Sequence, residues 1–423
     1  MEKKIGNIFK GDKVIWMVFF FLCMISIVEV FSASSNLTYK SQNYMAPIIY
    51  HSIMILVGVT VAVITLNIPC RYFKLMTPFL LIITAFTLFW VLVGGESING
   101  ANRVISILGF TFQPSEIAKG TMVLVTAQIL SAMQRENGAD RNAFKYIMIV
   151  LLPTVFLIGI ENLSTAALLF AVIFLMMFIG RVPLSLLGRL VGGIAVLAIV
   201  GVTLIMTLGS IEKTDENSTM TEVVDADGKA GEDKTSIKGG GIFHRFTTQR
   251  NRILKFIDKK EVPPEEYDIE ENYQVAHANI AIASSNVIGK GPGNSVERDY
   301  LPQAFSDFIY AIIIEEMGII GAAVVVFLYI VLLYRAARIA HHCENNFPAF
   351  LIMGLALLLV IQATFNMMVA VGLAPVTGQP LPLISKGGTS TIINCAYIGA
   401  MLSVSRSAKM KVSQASSEDK NIE

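Results

Sequence analysis

The sequence predicts an all-α polytopic membrane protein with ten transmembrane helices, both termini in the cytoplasm and a large extracytoplasmic loop between spans seven and eight. Of its 423 residues, 54% are hydrophobic and only 15% are charged, whereas an ordinary soluble protein carries about 25% charged residues. The mean hydropathy is +0.61, and apolar segments of about 20 residues, the length of a bilayer-crossing helix, recur along the chain. This composition excludes a soluble enzyme and a disordered chain.

Ten segments have the length and composition of spans: 15–34, 46–68, 74–94, 114–133, 145–161, 163–181, 184–210, 306–334, 347–371 and 388–406. Lysines precede the first segment, as they do in a signal peptide. Its apolar run of about 19 residues is longer than the usual ~7–15, however, and more spans follow. We therefore expect the first segment to remain as a transmembrane helix.

The distribution of Lys and Arg predicts the orientation, because short cytoplasmic loops are enriched in these residues. With both termini inside, the inner segments hold 17 of them and the short outer loops hold 3. The chain then divides into spans one to seven (1–210), an extracytoplasmic loop (211–305), spans eight to ten (306–406) and a cytoplasmic tail (407–423).

The extracytoplasmic loop carries 12 Lys and Arg against 17 Asp and Glu, and long loops escape the charge rule. Within it we predict a flexible acidic insert (213–240), an interfacial helix (243–257), a second helix (272–285) and a Gly-rich hinge (289–295). A connection of this length is usually functional. We expect it to fold over the outer mouth of the protein.

Charged side chains at membrane depth are costly and usually functional. Glu116 and Lys119 lie at i and i+3 on one face of span four, and Arg103 precedes that span. Asp307 opens span eight, and Lys386 precedes span ten in a loop rich in Pro and Gly. These positions predict a carboxylate and three cations on the outer side of the membrane.

The same residues also have structural interpretations, which the sequence leaves open. Glu116 with Lys119, and Glu315 or Glu316 deeper in span eight, could form ion pairs between helices. Asp307 could be the N-cap of span eight. The two outer cations that flank the spans could anchor to lipid headgroups.

Several sequence blocks, in one order, are similar to those of a known family. The blocks are NGANRVISILGFTFQPSEIAKG (99–120), IAIASSNVIGKGPGNS (280–295), YLPQAFSDFIYAIIIEEMGIIG (300–321) and NMMVAVGLAPVTGQPLPLISKGGTS (366–390). They resemble blocks of the SEDS proteins (shape, elongation, division and sporulation; the FtsW/RodA group). The similarity extends from the first predicted span to the tenth.

This resemblance implies a peptidoglycan glycosyltransferase that polymerises lipid II at the outer face of the cytoplasmic membrane, with Asp307 as the catalytic aspartate. A carboxylate there suits a general base, while cations or a divalent metal such as Mg²⁺ or Mn²⁺ would neutralise the pyrophosphate leaving group. We assign Glu315 and Glu316 to structural ion pairs. The residues assigned to substrate binding are Arg103, Glu116, Lys119, Gln274, Lys290, Ser385 and Lys386.

The partner implied by the resemblance is a class B penicillin-binding protein, a transpeptidase, together with other division-complex membrane proteins at the septum. Residues 160–166 (IENLSTA) depart from the family pattern QPDLGTA. By resemblance, this departure favours a division-type (FtsW-like) member over an elongation-type (RodA-like) polymerase.

Two other functions fit the same residues: a flippase that carries lipid II across the membrane, and a non-catalytic scaffold of a division complex. Transporter sites lie near the bilayer midplane, whereas Asp307 is predicted at the outer rim beneath a folded loop. The position of this carboxylate therefore favours the enzyme.

Overall fold

The computed structural model describes residues 10–33, 46–98, 101–107, 110–196, 200, 203, 273–301 and 304–419. The chain forms two compact units, one of Met1–Leu184 with Tyr273–Glu423 and the other of Ser185–Asn272. Every candidate site residue belongs to the first unit. The predicted acidic insert (213–240) and interfacial helix (243–257) lie outside the described residues.

The described chain is mainly helical. Within the described residues, six helices are long and apolar enough to cross a membrane; their apolar segments are Lys13–Ala33, Ile48–Asn67, Cys70–Gly94, Arg141–Glu161, Ile309–His341 and Asn346–Ala370. Each coincides with a predicted span, and the helix Tyr273–Ala283 confirms the helix predicted over 272–285. The helices are α1 Lys13–Ala33, α2 Ala46–Asn67, α3 Cys70–Gly94, α4 Pro114–Ala132, α5 Arg141–Glu161, α6 Leu163–Ile179, α7 Leu184–Val196, α8 Tyr273–Ala283, α9 Ile309–His341, α10 Asn346–Ala370 and α11 Thr389–Asp419.

The surface of α3 shows why these helices suit a bilayer. Phe79 is 65% exposed and Ile82 is 68% exposed, whereas Thr77 and Thr84 are buried on the other side of the helix. Such a large apolar surface would cause a soluble protein to aggregate, but it is the surface expected against lipid tails. Together with the six apolar helices, it identifies a multi-pass membrane protein.

Helix α4 lies in the interior of the first unit, where it packs against α3, α5, α6 and α10. Most of its residues are buried, including Glu116 and Lys119. Because protein rather than lipid surrounds α4, neighbouring side chains can satisfy its polar groups. This explains why α4 is less apolar than the helices that face outward.

The all-α prediction is wrong for the segment between α3 and α4. It forms an antiparallel sheet of three strands in the order β1 Glu96–Ile98, β2 Ala101–Ile107 and β3 Phe110–Phe112. The pairing aligns Ile105 with Phe112, and β-branched and aromatic residues of this kind favour strands. A second, two-stranded ladder joins β4 Gln134–Arg135 to β5 Gly138–Ala139 before α5.

Helix α9 is interrupted at Gly318, whose φ of 69° and ψ of −171° are not helical. The loop 287–291 packs into this break. The Lys290 N–H donates to the Glu315 carbonyl at 2.9 Å, and the Gly291 N–H donates to the Glu316 carbonyl at 2.8 Å. Residues 289–295 were predicted to be a hinge; the prediction is wrong, because these bonds fasten the segment to α9.

The close approach at this break leads to a prediction about Gly289. A Cβ at Gly289 (φ +82°) would collide with backbone atoms of Glu316 and Gly318, whereas a Cβ at Gly293 (φ +84°) would meet open space. Gly293→Ala should therefore cost only the ~1–2 kcal/mol of a left-handed residue. Gly289→Ala should cost about 2 kcal/mol more, since it disrupts the two backbone hydrogen bonds.

Thermal unfolding of both variants in detergent measures this difference, and Gly293→Ala serves as the matched control. If both variants lost the same stability, the contact between the loop and α9 would contribute nothing to the stability of the fold.

Candidate functional site

Asp307 lies in the turn 304–308, immediately before α9, and its side chain is partly exposed. The Ser306 Oγ donates to the Asp307 Oδ1 at 3.1 Å. The N-cap of α9 is Phe308, which makes no side-chain capping bond. The interpretation of Asp307 as a helix N-cap is therefore wrong.

The loop 371–388, between α10 and α11, holds this turn in place. The Ser385 Oγ donates to the Ser306 carbonyl at 2.6 Å, and the Lys386 N–H donates to the Phe305 carbonyl at 3.0 Å. From α10, the Asn366 Nδ2 donates to the Asp307 carbonyl at 2.9 Å. The structure thus brings Asp307, Ser385 and Lys386 together, although they are far apart in sequence.

Lys386 places a cation beside the Asp307 turn. Its Nζ lies 4.8 Å from the centre of the Phe305 ring, a distance at which an ammonium group is attracted to the ring face. Burial lowers the pKa of the Lys386 ammonium below its ordinary value. A negatively charged ligand at this point would stabilise the protonated form.

Ser385, predicted to bind substrate, is only 3% exposed. Its single hydroxyl proton goes to the Ser306 carbonyl, and its oxygen accepts a hydrogen bond from the Leu381 N–H at 2.8 Å. A hydroxyl used in this way favours a structural role over contact with substrate.

The loop 371–388 is itself anchored to several helices of the first unit. The Gln379 Nε2 donates to the Thr165 Oγ1 of α6 at 2.6 Å, and the Ser26 Oγ of α1 donates to the Ile384 carbonyl at 2.7 Å. From α9, the Tyr329 hydroxyl donates to the Pro382 carbonyl. These anchors explain how an irregular loop can persist inside a membrane protein, since the helices provide hydrogen-bond partners both to backbone carbonyls and to a polar side chain of the loop.

Glu116 and Lys119 form an ion pair of 2.8 Å within α4, with both side chains at 1% exposure or less. The Lys119 Nζ also donates to the Gln362 Oε1 of α10 at 2.6 Å. The pair lies within one helix, not between two helices as predicted. Because the Lys119 ammonium is enclosed and already has two partners, the arrangement favours a structural ion pair over a contact with substrate.

Glu315 and Glu316 are fully buried at the break of α9. Glu315 pairs with the Lys290 Nζ at 2.6 Å and accepts a bond from the Ser295 hydroxyl. Glu316 accepts bonds from the Gly293 N–H at 2.9 Å and from the Ser295 N–H at 3.1 Å. Both carboxylates therefore hold the loop 289–298 against α9. Lys290, predicted to bind substrate, is one of the loop residues that they bind.

Two predicted site residues remain, Arg103 and Gln274. Arg103 is in strand β2, and its side chain lies outside the described residues. Gln274 is in the first turn of α8 and is partly buried; α8 packs against α9 and the short 3₁₀ helix Glu297–Asp299.

Several polar residues that the structure buries are not among the predicted site residues. Asn366 and Gln362 lie four residues apart on α10, so both point to the same face. Two amide side chains at this spacing in an apolar helix are the sequence signal that could have identified them. Glu29 interrupts the first apolar segment and is fully buried; within the described part of the chain, neither of its carboxylate oxygens has a hydrogen-bond partner.

The predicted divalent cation has limited support from side chains. Among the described residues, no group of three or more His, Cys, Asp or Glu lies close enough to hold a metal ion. Asp307 could provide one carboxylate oxygen, of the type Mg²⁺ prefers, to an ion that arrives with a phosphate-bearing ligand.

Comparison with known proteins identifies the family. The model of the FtsW/RodA/SpoVE cell cycle proteins matches residues 12–410. The chain is 28% identical over 391 residues to the probable peptidoglycan glycosyltransferase FtsW of Halomonas elongata, with 90% of this chain and 87% of that protein covered. It is also 28% identical over 396 residues to the protein of the same name from Aromatoleum aromaticum, at 90% and 85% coverage.

Solved structures share the fold. One is a chain from “Structural coordination of polymerization and crosslinking by a peptidoglycan synthase complex”, with a TM-score of 0.66, 21% identity and coverage of 94% of this chain and 98% of that chain. The rod shape determining protein RodA of Thermus thermophilus has a TM-score of 0.60 at 20% identity, with coverage of 95% and 98%. Because the family match extends from the start of α1 into α11, the chain belongs to the FtsW/RodA/SpoVE family of cell cycle proteins.

Proposed function

We propose that this protein is a peptidoglycan glycosyltransferase that polymerises lipid II at the outer face of the cytoplasmic membrane during cell division. The observation that carries the proposal is the Asp307 turn. In it a partly exposed aspartate follows Phe305, whose ring lies 4.8 Å from the Lys386 ammonium, and a loop anchored to several helices holds the turn in place. Family membership and the names of the FtsW relatives support the same activity.

In the proposed reaction, a sugar hydroxyl of one lipid-linked saccharide attacks the anomeric carbon of another. A new C–O bond forms, the bond from the anomeric carbon to the pyrophosphate breaks, and the hydroxyl proton passes to the Asp307 carboxylate. A positioned general base of this kind contributes typically about 10²–10⁴ in rate. The leaving pyrophosphate needs charge neutralisation, which Lys386 and Arg103 would provide; guanidinium geometry suits phosphate particularly well.

This reaction requires Asp307 to face the outer side of the membrane. We infer ten spans with both termini in the cytoplasm, which places the turn 304–308 and the loop 371–388 on that side. The excess of Lys and Arg in the predicted inner segments supports this orientation. A carboxylate at headgroup depth can reach the sugars of lipid-linked substrates while their tails remain in the bilayer.

The proposed partner is a class B penicillin-binding protein, which would crosslink the strands that this protein makes, and the proposed location is the division septum. A structural relative comes from a peptidoglycan synthase complex that coordinates polymerisation with crosslinking. The FtsW names of the curated relatives favour division over elongation.

A polymerisation assay tests the proposal. The purified protein, with and without its transpeptidase partner, is supplied with lipid II, and glycan strands are detected by gel electrophoresis. We expect polymer that increases when the partner is present. The absence of polymer under both conditions, with lipid II crossing the bilayer of proteoliposomes that contain the protein, would contradict the proposal and favour a flippase.

A further inference from the structure

Two peptide groups flank the Cα of Asp307, and a side chain from another part of the chain holds each of them. The carbonyl of Ser306, in the peptide before this Cα, accepts a hydrogen bond from the Ser385 Oγ at 2.6 Å. The carbonyl of Asp307, in the peptide after it, accepts one from the Asn366 Nδ2 at 2.9 Å. Because peptide groups are planar, the orientations of these two groups set φ and ψ at Asp307 and hence the direction of its Cα–Cβ bond.

The helix does not set this direction by itself. The first helical hydrogen bonds of α9 run from the N–H groups of Ala311 and Ile312 to the Phe308 carbonyl, at 2.9 and 3.3 Å. Asp307 precedes this ladder and lies in an irregular turn. Its backbone conformation therefore depends on the side chains that reach it from α10 and from the loop 371–388.

The orientation of the Asn366 amide is unambiguous. Asn366 is 1% exposed, and its Nδ2 also donates to the Gln379 carbonyl at 2.7 Å. Exchanging the amide nitrogen and oxygen would set Oδ1 against two carbonyl oxygens. As it stands, Oδ1 has no hydrogen-bond partner among the described residues, so burial of this amide is favourable mainly because of its two donated bonds.

Gln362 provides a comparison within the same helix. It lies one turn before Asn366, and its Nε2 donates to the Pro380 carbonyl of the same loop at 3.1 Å. Its Oε1, however, accepts from Lys119. Gln362 thus fastens the loop to α4, whereas Asn366 fastens it to the turn that carries Asp307.

We propose that Asn366 and Ser385 are positioning residues that orient the Asp307 carboxylate toward the hydroxyl it deprotonates. This inference rests on the proposed function. Both residues would affect the reaction only by orienting Asp307, and neither would contact the substrate. Displacing a reacting group by about 1 Å can reduce a rate ~10²-fold, and freeing either flanking peptide would allow such a displacement.

The test compares Asn366→Leu and Ser385→Ala with the matched control Thr165→Val. Thr165→Val removes the acceptor of the Gln379 side chain, a buried anchor of the same loop, but leaves both bonds to the Asp307 turn. For each protein, kcat, KM, the pH profile of kcat and the thermal unfolding midpoint are measured with lipid II.

We expect Asn366→Leu and Ser385→Ala each to lower kcat about 10²-fold, to change KM little and to shift the pH profile of kcat, because the base moves relative to its neighbours. Thr165→Val should lose stability but keep the wild-type kcat and pH profile. If Asn366→Leu does not fold, Ser385→Ala decides the outcome.

Wild-type kcat in the two variants would overturn the inference. The inference would also be overturned if kcat fell only in proportion to the amount of folded protein and the pH profile of kcat stayed unchanged. If the wild-type protein itself made no polymer, the proposed function would fail and this role would fail with it. If the wild-type protein makes polymer and both variants make it equally fast, only the positioning role of the two residues is disproved, and the proposed function stands.

Discussion

Asp307→Asn is expected to abolish most polymerisation of lipid II, with a rate loss of about 10²–10⁴ and little change in stability. The amide has the size of the carboxyl group and keeps an oxygen that can accept the bond from the Ser306 hydroxyl, so the turn should remain folded. It cannot take up a proton near neutral pH. The initial rate of glycan formation by the purified variant measures the effect.

Asp299→Asn is the matched control for this substitution. Asp299 precedes α9 on the same segment, its side chain is 48% exposed and its carboxylate lies 3.8 Å from Arg298. An exposed carboxylate at this distance from a cation contributes little to stability, and the control should polymerise at the wild-type rate. If Asp307→Asn kept that rate as well, Asp307 would not be the base.

Lys119→Met is expected to destabilise the protein by about 3–5 kcal/mol, because it leaves Glu116 buried without its cation. Combining it with Glu116→Gln should restore most of the lost stability, since a buried pair can often be replaced by neutral side chains. Thermal unfolding in detergent measures both effects. Lys145→Met, an exposed lysine on α5, is the control and should change stability by less than about 0.5 kcal/mol.

The opposite pattern would identify Lys119 as a substrate-binding cation. In that case Lys119→Met would keep its unfolding midpoint but polymerise slowly, and the double variant would stay slow. The two interpretations that the sequence left open for this residue are thus separated by one pair of variants.

Hydrophobic runs were sufficient to predict where helices lie. The α6 helix occupies Leu163–Ile179 where a span was predicted over 163–181, and α10 occupies Asn346–Ala370 where one was predicted over 347–371. Runs of this kind report local properties, namely apolar length and the exclusion of charge. For the same reason Glu29 was overlooked, because one carboxyl group barely alters the mean hydropathy of a long apolar run.

The contacts that build the site could not be predicted in this way. The Asn366 amide reaches Asp307 across 59 positions of the sequence, and the Ser385 hydroxyl reaches Ser306 across 79. Such contacts depend on how helices and loops pack, for which the periodicity of a single chain holds no signal. The motif resemblance singled out Asp307 and Ser385, but their relation to each other emerged only from the fold.

The interruption at Gly318 has a consequence for how the protein fits its bilayer. A continuous helix of 33 residues would be about 50 Å long at 1.5 Å per residue, well beyond the ~30 Å of the hydrocarbon layer. The portion after the break, 319–341, is only about 35 Å long and matches that thickness with a modest tilt. The nine residues before the break, 309–317, are then not needed to cross a layer of this thickness. The proposed catalytic residue Asp307 precedes this short segment and need not shift when the bilayer is thicker or thinner.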